Sequence, residues 1–130
     1  MEKTARAIII EKEGLLVFFR RKIREGKEIT YYALPGGHVE GNDTYEETVI
    51  RELKEEMNLD IEIVSYLGKL LVDNREEHYY HAKIVGGKLQ FGGEELERNN
   101  GSNYYEIRWL PINELDNSEI RALDLIKKVI

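Results

Sequence analysis

A glycine pair that leads directly into a strongly acidic segment constrains this chain more than any other feature. The stretch reads LPGGHVEGNDTYEETVIRELKEEMNL and runs from Leu34 to Leu59. Thr44, with Glu47 three residues later, predicts a capping box that opens a helix. The glycines permit backbone conformations closed to other residues and a close approach to a ligand. The stretch therefore predicts a sharp glycine turn held against the start of a helix.

Three carboxylates of this predicted helix share one face. At roughly 100° per residue, Glu52, Glu55 and Glu56 fall within a wedge about 100° wide. Acids crowded in this way repel each other, and a divalent cation would relieve the repulsion. Hard oxygen ligands suit Mg²⁺ or Mn²⁺. A solvated acidic surface is the alternative, because most charge runs are exposed to water.

The same helical geometry predicts which side of the helix is buried. Ile50, Leu53 and Met57 fall at about 100–160° from the first acid of the wedge, and they are predicted to form the buried stripe. Glu47 and Lys54 are predicted to point toward water.

This stretch resembles the Nudix box, whose pattern is G-x5-E-x7-R-E-U-x-E-E-x-G-U with U an aliphatic residue. Asp43 stands where the pattern has Glu, and Asn58 stands where it has Gly. Asparagine is the next best residue after glycine for a left-handed helix cap. The shorter Asp43 side chain can alter a pairing with the arginine of the box. The matching positions are Gly37, Arg51, Glu52, Leu53, Glu55, Glu56 and Leu59.

The resemblance implies an enzyme that hydrolyses a nucleoside diphosphate linked to another group X. Glu52, Glu55 and Glu56 would hold Mg²⁺ or Mn²⁺ together with the carbonyl of Gly36. Glu55, Glu56 or a loop carboxylate would take a proton from the attacking water. Arg51 would orient the acids by ion pairing within the box. The catalytic candidates are therefore Arg51, Glu55 and Glu56.

Further contacts are predicted outside the box. Arg20 and Arg21 follow a strand, and they are candidates for binding substrate phosphates, with surface solubility as the alternative role. Tyr79 is a candidate for stacking on a base, although a tyrosine in a strand more often packs in the sheet. Members of the family frequently bring one more carboxylate from a loop in the region of residues 94–103. The candidates there are Glu94, Glu95 and Glu97.

The choice of substrate stays open at this point. The ADP-ribose subgroup of the family has a proline where this chain has Arg75. The dinucleoside polyphosphate subgroup has a tyrosine where this chain has acidic residues. We therefore favour a MutT-type pyrophosphatase that acts on a (deoxy)nucleoside triphosphate. An ADP-ribose or dinucleoside polyphosphate hydrolase is the alternative, and a non-catalytic module that senses a nucleotide is the alternative of another class.

Composition limits the function further. A chain of 130 residues predicts a single domain, residues 1–130. The net charge of −6 argues against binding to nucleic-acid polymers or anionic membranes. There is no cysteine, so disulfides and a catalytic thiol are excluded. The run from Ala7 to Ile10 is too short for a signal peptide or a membrane span, and we expect a cytoplasmic protein. Homodimers are common in the family, but the sequence does not decide this point.

The predicted elements follow the order β-β-β-α-β-β-β-α. This order predicts an α/β (α+β) fold with a mixed sheet between helices, similar to the Nudix α/β/α sandwich. Residues 20–30 are predicted to form an exposed loop, and Trp109 is predicted to lie in the core. Ser118 is predicted to cap a terminal helix on the side of the sheet opposite the acidic helix. The predicted strands cover residues 4–10, 15–19, 31–34, 61–73, 77–85 and 104–110.

Overall fold

The computed structural model of the protein describes residues 1–90 and 102–130. The glycine pair opens a short strand, and the acidic helix follows it, as the sequence predicts. Within the described residues no helix is long and apolar enough to cross a membrane. The elements are β1 (Glu2–Ile8), β2 (Ile10–Glu11), β3 (Gly14–Arg24), β4 (Lys27–Ala33), β5 (Gly36–His38), α1 (Tyr45–Met57), β6 (Leu59–Val72), β7 (Arg75–Gly87), β8 (Asn103–Pro111), a 3-10 helix (Ile112–Asn117) and α2 (Leu123–Lys127).

The strands form two sheets. The first has the order β5-β1-β7-β6, and the second has β2 and β4 along one side of β3 and β8 along the other. β1 and β7 are parallel, while their other neighbours are antiparallel, so the first sheet is mixed. The predicted mixed α+β fold is confirmed, although the strands divide between two sheets.

The two helices pack into two different hydrophobic clusters. Ala5 and Ala7 of β1 belong to the cluster that contains the buried residues of α1, whereas Ile8 belongs to the cluster that contains Leu125 and Ile126 of α2. Successive side chains of a strand point to opposite faces, so the two helices cover opposite sides of β1. This arrangement is the predicted α/β/α sandwich.

The position of α1 about its own axis differs from the prediction. Leu53 and Met57 are buried as predicted, but Ile50 is 43% exposed and the prediction for it is wrong. Thr48 and Val49 are buried instead. Val49 lies about 60° from Glu52 on a helical projection, so the buried side is turned toward the acidic wedge. Part of that wedge consequently faces the protein.

Residues 20–30 form a hairpin, and the predicted exposed loop is wrong. β3 continues to Arg24, and a turn at Glu25 and Gly26 leads into β4. β8 pairs with β3 as far as Lys22, while β4 pairs with it on the other side. These long-range partners hold a charged sequence in an extended conformation that its composition does not favour.

Two further predictions near the C-terminal end of the sequence are wrong. Trp109 is 37% exposed, because it lies on the edge strand β8. Ser118 does not begin a helix. It follows the 3-10 helix, and its hydroxyl donates to the carbonyl of Glu114 at 2.7 Å. α2 begins only after Ala122, whose backbone is left-handed at φ 64°.

The capping box of α1 is confirmed and makes a testable contribution to stability. The hydroxyl oxygen of Thr44 accepts the N–H of Glu47 at 3.1 Å, and the Glu47 carboxylate accepts the N–H of Thr44 at 3.0 Å. We expect T44A to lower the free energy of unfolding by about 1 kcal/mol in urea. The matched control S65A, on an exposed strand position, should change it by less than about 0.5 kcal/mol. Equal effects would contradict the role of the cap.

Candidate active site

The glycine strand β5 is tied both to β1 and to α1. Gly36 lies opposite Arg6 in the antiparallel pair. Its φ is 146°, and a Cβ at this position would lie 2.1 Å from the carbonyl oxygen of Ala5, so that only glycine fits. The N–H of Gly36 donates to Oε1 of Glu56 at 2.9 Å. Glu56, a predicted metal ligand on the helix, therefore holds the backbone of Gly36, whose carbonyl is another predicted ligand.

Glu52 lies directly against the second glycine. A Cβ on Gly37 would be 2.5 Å from the Glu52 carboxyl carbon, so the missing side chain makes room for this acid. The side chain of Glu52 is only 16% exposed. Burial raises its pKa, the charge of Glu55 raises it further, and Arg51 offsets part of the increase. The acidic wedge is thus partly desolvated, which the interpretation as a solvated surface does not explain.

Arg51 lies among the acids that precede and follow it. Its guanidinium is 3.1 Å from Glu52, 3.4 Å from Glu55 and 3.3 Å from Asp43. It also donates to the carbonyl of His38 at 3.3 Å, which joins the helix to the end of β5. Asp43 therefore keeps its pairing with the arginine despite its shorter side chain. This geometry supports the predicted orienting role of Arg51.

The donor chemistry at this site fits a hard divalent cation. The groups near the glycine pair are the carboxylates of Glu52, Glu55 and Glu56 and backbone carbonyls, all of them oxygen donors. The cost of holding Glu52 partly buried beside another carboxylate is one that a cation would offset. Across residues 1–90 and 102–130, no three acidic or histidine side chains are arranged closely enough to bind one ion. The box carboxylates would therefore have to move closer together to share one ion.

A cavity of about 550 Å³ lies on the α2 side of the sheet, and we call it the arginine cavity. Arg6 links it to the glycine strand, since one guanidinium nitrogen donates to the carbonyls of Leu34 at 3.2 Å and Gly36 at 3.3 Å. The signal in the sequence is one arginine within the apolar run TARAIII, and Arg6 was not among the predicted site residues. The lining residues are Arg6, Arg20, Tyr31, Tyr32, Ala33, Leu34, Arg75, Glu77, Tyr79, Glu119, Ile120 and Arg121.

The predicted substrate contacts are not all brought together. Arg20 lines the arginine cavity, with its guanidinium 4.4 Å from the ring centre of Tyr105. Arg21 is outside the lining and pairs with Glu28 at 3.7 Å. Tyr79 is 1% exposed, so its ring is held in the core, and this placement does not support stacking on a base. Arg20 and Tyr79 therefore line the cavity, whereas Arg21 does not, and the role of all three in substrate binding stays a prediction.

Residues 94–101 of the predicted loop, which was expected to supply a further carboxylate, lie outside the described residues. The three candidates in that loop are Glu94, Glu95 and Glu97. Their role stays a prediction.

Comparisons with known proteins agree with the box and the fold. A family model described as the NUDIX domain matches residues 1–129. An ADP-ribose pyrophosphatase of Methanocaldococcus jannaschii is 33% identical over 118 residues, which are 86% of this chain and 66% of that protein. A Mycobacterium tuberculosis relative that carries the name MutT4 is 34% identical over 92 residues, which are 65% of this chain and 34% of that protein. The chain spans 33% to 66% of the length of the curated relatives it matches.

Solved structures share the fold at low sequence identity. The MutT NUDIX hydrolase of Burkholderia pseudomallei is 19% identical with a TM-score of 0.74, and the match covers 99% of this chain and 98% of that one. An ADP-ribose pyrophosphatase of Streptococcus suis is 18% identical with a TM-score of 0.66, covering 98% of this chain and 90% of that one. These two similarities support the α/β/α architecture.

Proposed function

Because the chain belongs to the NUDIX family, we propose that it is a metal-dependent pyrophosphohydrolase that acts on a nucleoside diphosphate linked to a group X. The observation that carries the proposal is the packing of two box acids on the glycine pair. Glu56 accepts the N–H of Gly36, and Glu52 fills the space beside Gly37. The relative from Methanocaldococcus jannaschii, an ADP-ribose pyrophosphatase, supports the same class of reaction, hydrolysis of a pyrophosphate bond.

The residues that would hold Mg²⁺ or Mn²⁺ are Glu52, Glu55 and Glu56, with the carbonyl of Gly36. When bound, the ion supplies Lewis-acid polarisation of the phosphoryl oxygens and lowers the pKa of water. Of the two box acids that pair with Arg51, Glu55 is the more exposed, at 59% against 16% for Glu52, so it is the better placed of the two to receive a proton from water. Arg51 keeps Glu52 and Glu55 oriented through its ion pairs.

The proposed reaction is a nucleophilic substitution at phosphorus. The oxygen of water forms a bond to one phosphorus of the diphosphate, and the bond from that phosphorus to the bridging oxygen breaks. The bridging oxygen leaves with the other phosphate, and the proton of water passes to a carboxylate. The products are a nucleoside monophosphate and X-phosphate. Each keeps the negative charge that the ion and the arginines of the site would bind.

Two substrates are proposed within this class. We favour a (deoxy)nucleoside triphosphate of the MutT type, because the signatures of the ADP-ribose and dinucleoside polyphosphate subgroups are absent from the sequence. ADP-ribose is the second candidate, and the named relative from Methanocaldococcus jannaschii supports it. Dinucleoside polyphosphates belong to the same chemical class and are included in the test.

The test is release of phosphate products across a substrate panel. The panel contains nucleoside triphosphates, ADP-ribose and diadenosine polyphosphates, each measured with Mg²⁺, with Mn²⁺ and with EDTA. We expect turnover of one class that depends on the metal and stops with EDTA. No turnover of any member, with nucleotide binding retained in calorimetry, would contradict hydrolysis and favour the nucleotide-sensing module.

A further inference from the structure

We infer that the arginine cavity binds a phosphate group that the substrate carries in addition to the diphosphate that is hydrolysed. The inference rests on the proposed function for the identity of the reaction, but the cavity itself can be tested without turnover. It adds a binding site on the α2 side of the sheet, whereas the acids of the box belong to α1 on the other side. Arg6 connects the two, because it lines the cavity and donates to the carbonyl of Gly36.

The charge of the cavity is opposite to that of the whole protein. Its lining contains four arginines and two glutamates, which gives a formal charge of 4 − 2 = +2. The complete chain has a net charge of −6. A positive cleft in an acidic protein concentrates anions at that one place, because low-dielectric walls focus the field. The charged lining residues are Arg6, Arg20, Arg75, Arg121, Glu77 and Glu119.

One buried carboxylate has to serve three of these arginines. The Glu77 side chain is only 3% exposed, and it lies 3.0 Å from Arg6, 3.5 Å from Arg75 and 3.6 Å from Arg121. Burial by itself would raise the pKa of Glu77, but the three arginines outweigh burial and hold the pKa below its usual value. Glu77 is therefore ionised at neutral pH. Its single negative charge leaves the positive charge of this cluster in excess.

Two donors at the cavity have no acceptor. Within the part of the chain that the structure describes, Nε of Arg20 and Nε of Arg75 are buried and make no hydrogen bond. A buried donor without an acceptor is costly, so such groups normally have a partner. A phosphate presents several oxygens to planar guanidinium groups, and it suits them better than a neutral sugar or base. The donors thus indicate a ligand with many acceptor oxygens.

The size and position of the cavity are consistent with part of a larger substrate. Its volume of about 550 Å³ exceeds what a single inorganic phosphate fills and falls within the usual range of ligand pockets. Tyr31 and Tyr32 provide apolar wall beside the arginines. We therefore place the diphosphate of the substrate at the glycine pair and the additional phosphate of the same molecule in the arginine cavity.

The first experiment measures binding in EDTA by calorimetry, with inorganic pyrophosphate as the probe. Without metal, the acids of the box repel the probe, so binding reports on the arginines. R121Q and R20Q should each weaken binding by about tenfold or more, since each removes a charged donor. Arg121 is 58% exposed, so its replacement should not unfold the protein. The matched control is R24Q, which removes an exposed arginine at the end of β3, outside the cavity lining.

The binding outcomes decide whether the cavity is a phosphate site. Loss of binding in R121Q and R20Q, with R24Q like the unchanged protein, would support it. Equal weakening in all three variants would show a general effect of net charge and overturn the inference. Absence of pyrophosphate binding to the unchanged protein would overturn it as well.

The second experiment decides whether the phosphate belongs to the substrate. It compares kcat/KM within two pairs that differ by one phosphate, dGTP with dGDP and ADP-ribose 2′-phosphate with ADP-ribose. We expect the member with the additional phosphate to be preferred by about tenfold in at least one pair, and R121Q to abolish that preference. Equal rates within both pairs would overturn the inference about the substrate. If neither these pairs nor any other member of the substrate panel is hydrolysed but binding depends on Arg121, the proposed function fails while the phosphate site stands.

Discussion

Replacing Glu52 by glutamine is expected to reduce metal-dependent turnover by at least about 100-fold while the protein stays folded. Loss of a group that only supports a metal ligand typically costs roughly 10- to 100-fold, so loss of a direct ligand should cost at least the upper value. Glutamine preserves the shape of the side chain beside Gly37, where there is no room for a Cβ. The change therefore removes the charge and leaves the packing.

Stability should move in the opposite direction to activity. Burial and the charge of Glu55 raise the pKa of Glu52, and the contact with Arg51 offsets only part of this increase. The charged form of Glu52 is therefore disfavoured in the folded protein. Removing the charge relieves part of that cost. The free energy of unfolding of E52Q is expected to be equal to that of the unchanged protein or slightly higher.

The measurement is kcat/KM with saturating Mg²⁺, together with urea unfolding of the same preparation. E62Q is the matched control, because Glu62 is an exposed carboxylate on β6 that pairs with Lys83 at 3.8 Å. E62Q should retain full turnover. Unchanged turnover in E52Q would remove Glu52 from the metal site, and a large loss of stability in E52Q would mean that its charge is structural.

The second large effect is expected at Glu77, where glutamine should lower the free energy of unfolding by about 3–5 kcal/mol. Glu77 is the buried counter-ion of Arg6, Arg75 and Arg121. Removing the buried carboxylate leaves Arg6 and Arg75, whose side chains are each only 23% exposed, without their counter-ion. The hydroxyl of Tyr79, which donates to Glu77 at 3.3 Å, would also lose a charged acceptor.

The same group makes stability depend on pH in a definite direction. The pKa of Glu77 in the folded protein is lower than its ordinary value of 4.5. Its contribution to stability is thus complete above about pH 4.5 and is lost as pH falls through the lower folded-state pKa. Urea unfolding between pH 7 and pH 3 should show a steeper loss in the unchanged protein than in E77Q.

E62Q serves again as the control, because it removes an exposed carboxylate and should change stability by less than about 0.5 kcal/mol. If E77Q unfolds at the same urea concentration as the unchanged protein at pH 7, the arginine cluster does not depend on Glu77. In that case the excess positive charge in the cavity would be tolerated without a counter-ion, and the ionised state assigned to Glu77 would be wrong.

Local patterns account for the features that the sequence predicted correctly. The capping box needs only the spacing of Thr44 and Glu47, and both of its hydrogen bonds are present. The burial of Leu53 and Met57 needs only the helical period, and both side chains are buried. The family resemblance rests on a box within residues 34–59, whose side chains are neighbours along one turn and one helix.

Predictions failed where a distant strand decides the outcome. Residues 20–30 carry charge and a glycine, and they form strands because β4 and β8 supply hydrogen bonds on both sides of β3. Ile50 is exposed and Val49 is buried because the sheet, and not the helix, determines which part of the apolar side is covered. Trp109 is large and apolar, but it lies at an edge that no described element covers.

The sequence by itself determined the acidic helix, its cap and the glycine pair beside it, and it predicted the chemical class of ligand that such acids would hold. Only the tertiary structure decided that Arg6, Arg75 and Arg121 meet at one carboxylate. Arg6 and Glu77 are 71 residues apart along the chain, and the parallel pairing of β1 with β7 brings them to 3.0 Å. The spacing of residues along the chain does not predict such a contact, because the strands pair only when the whole sheet forms.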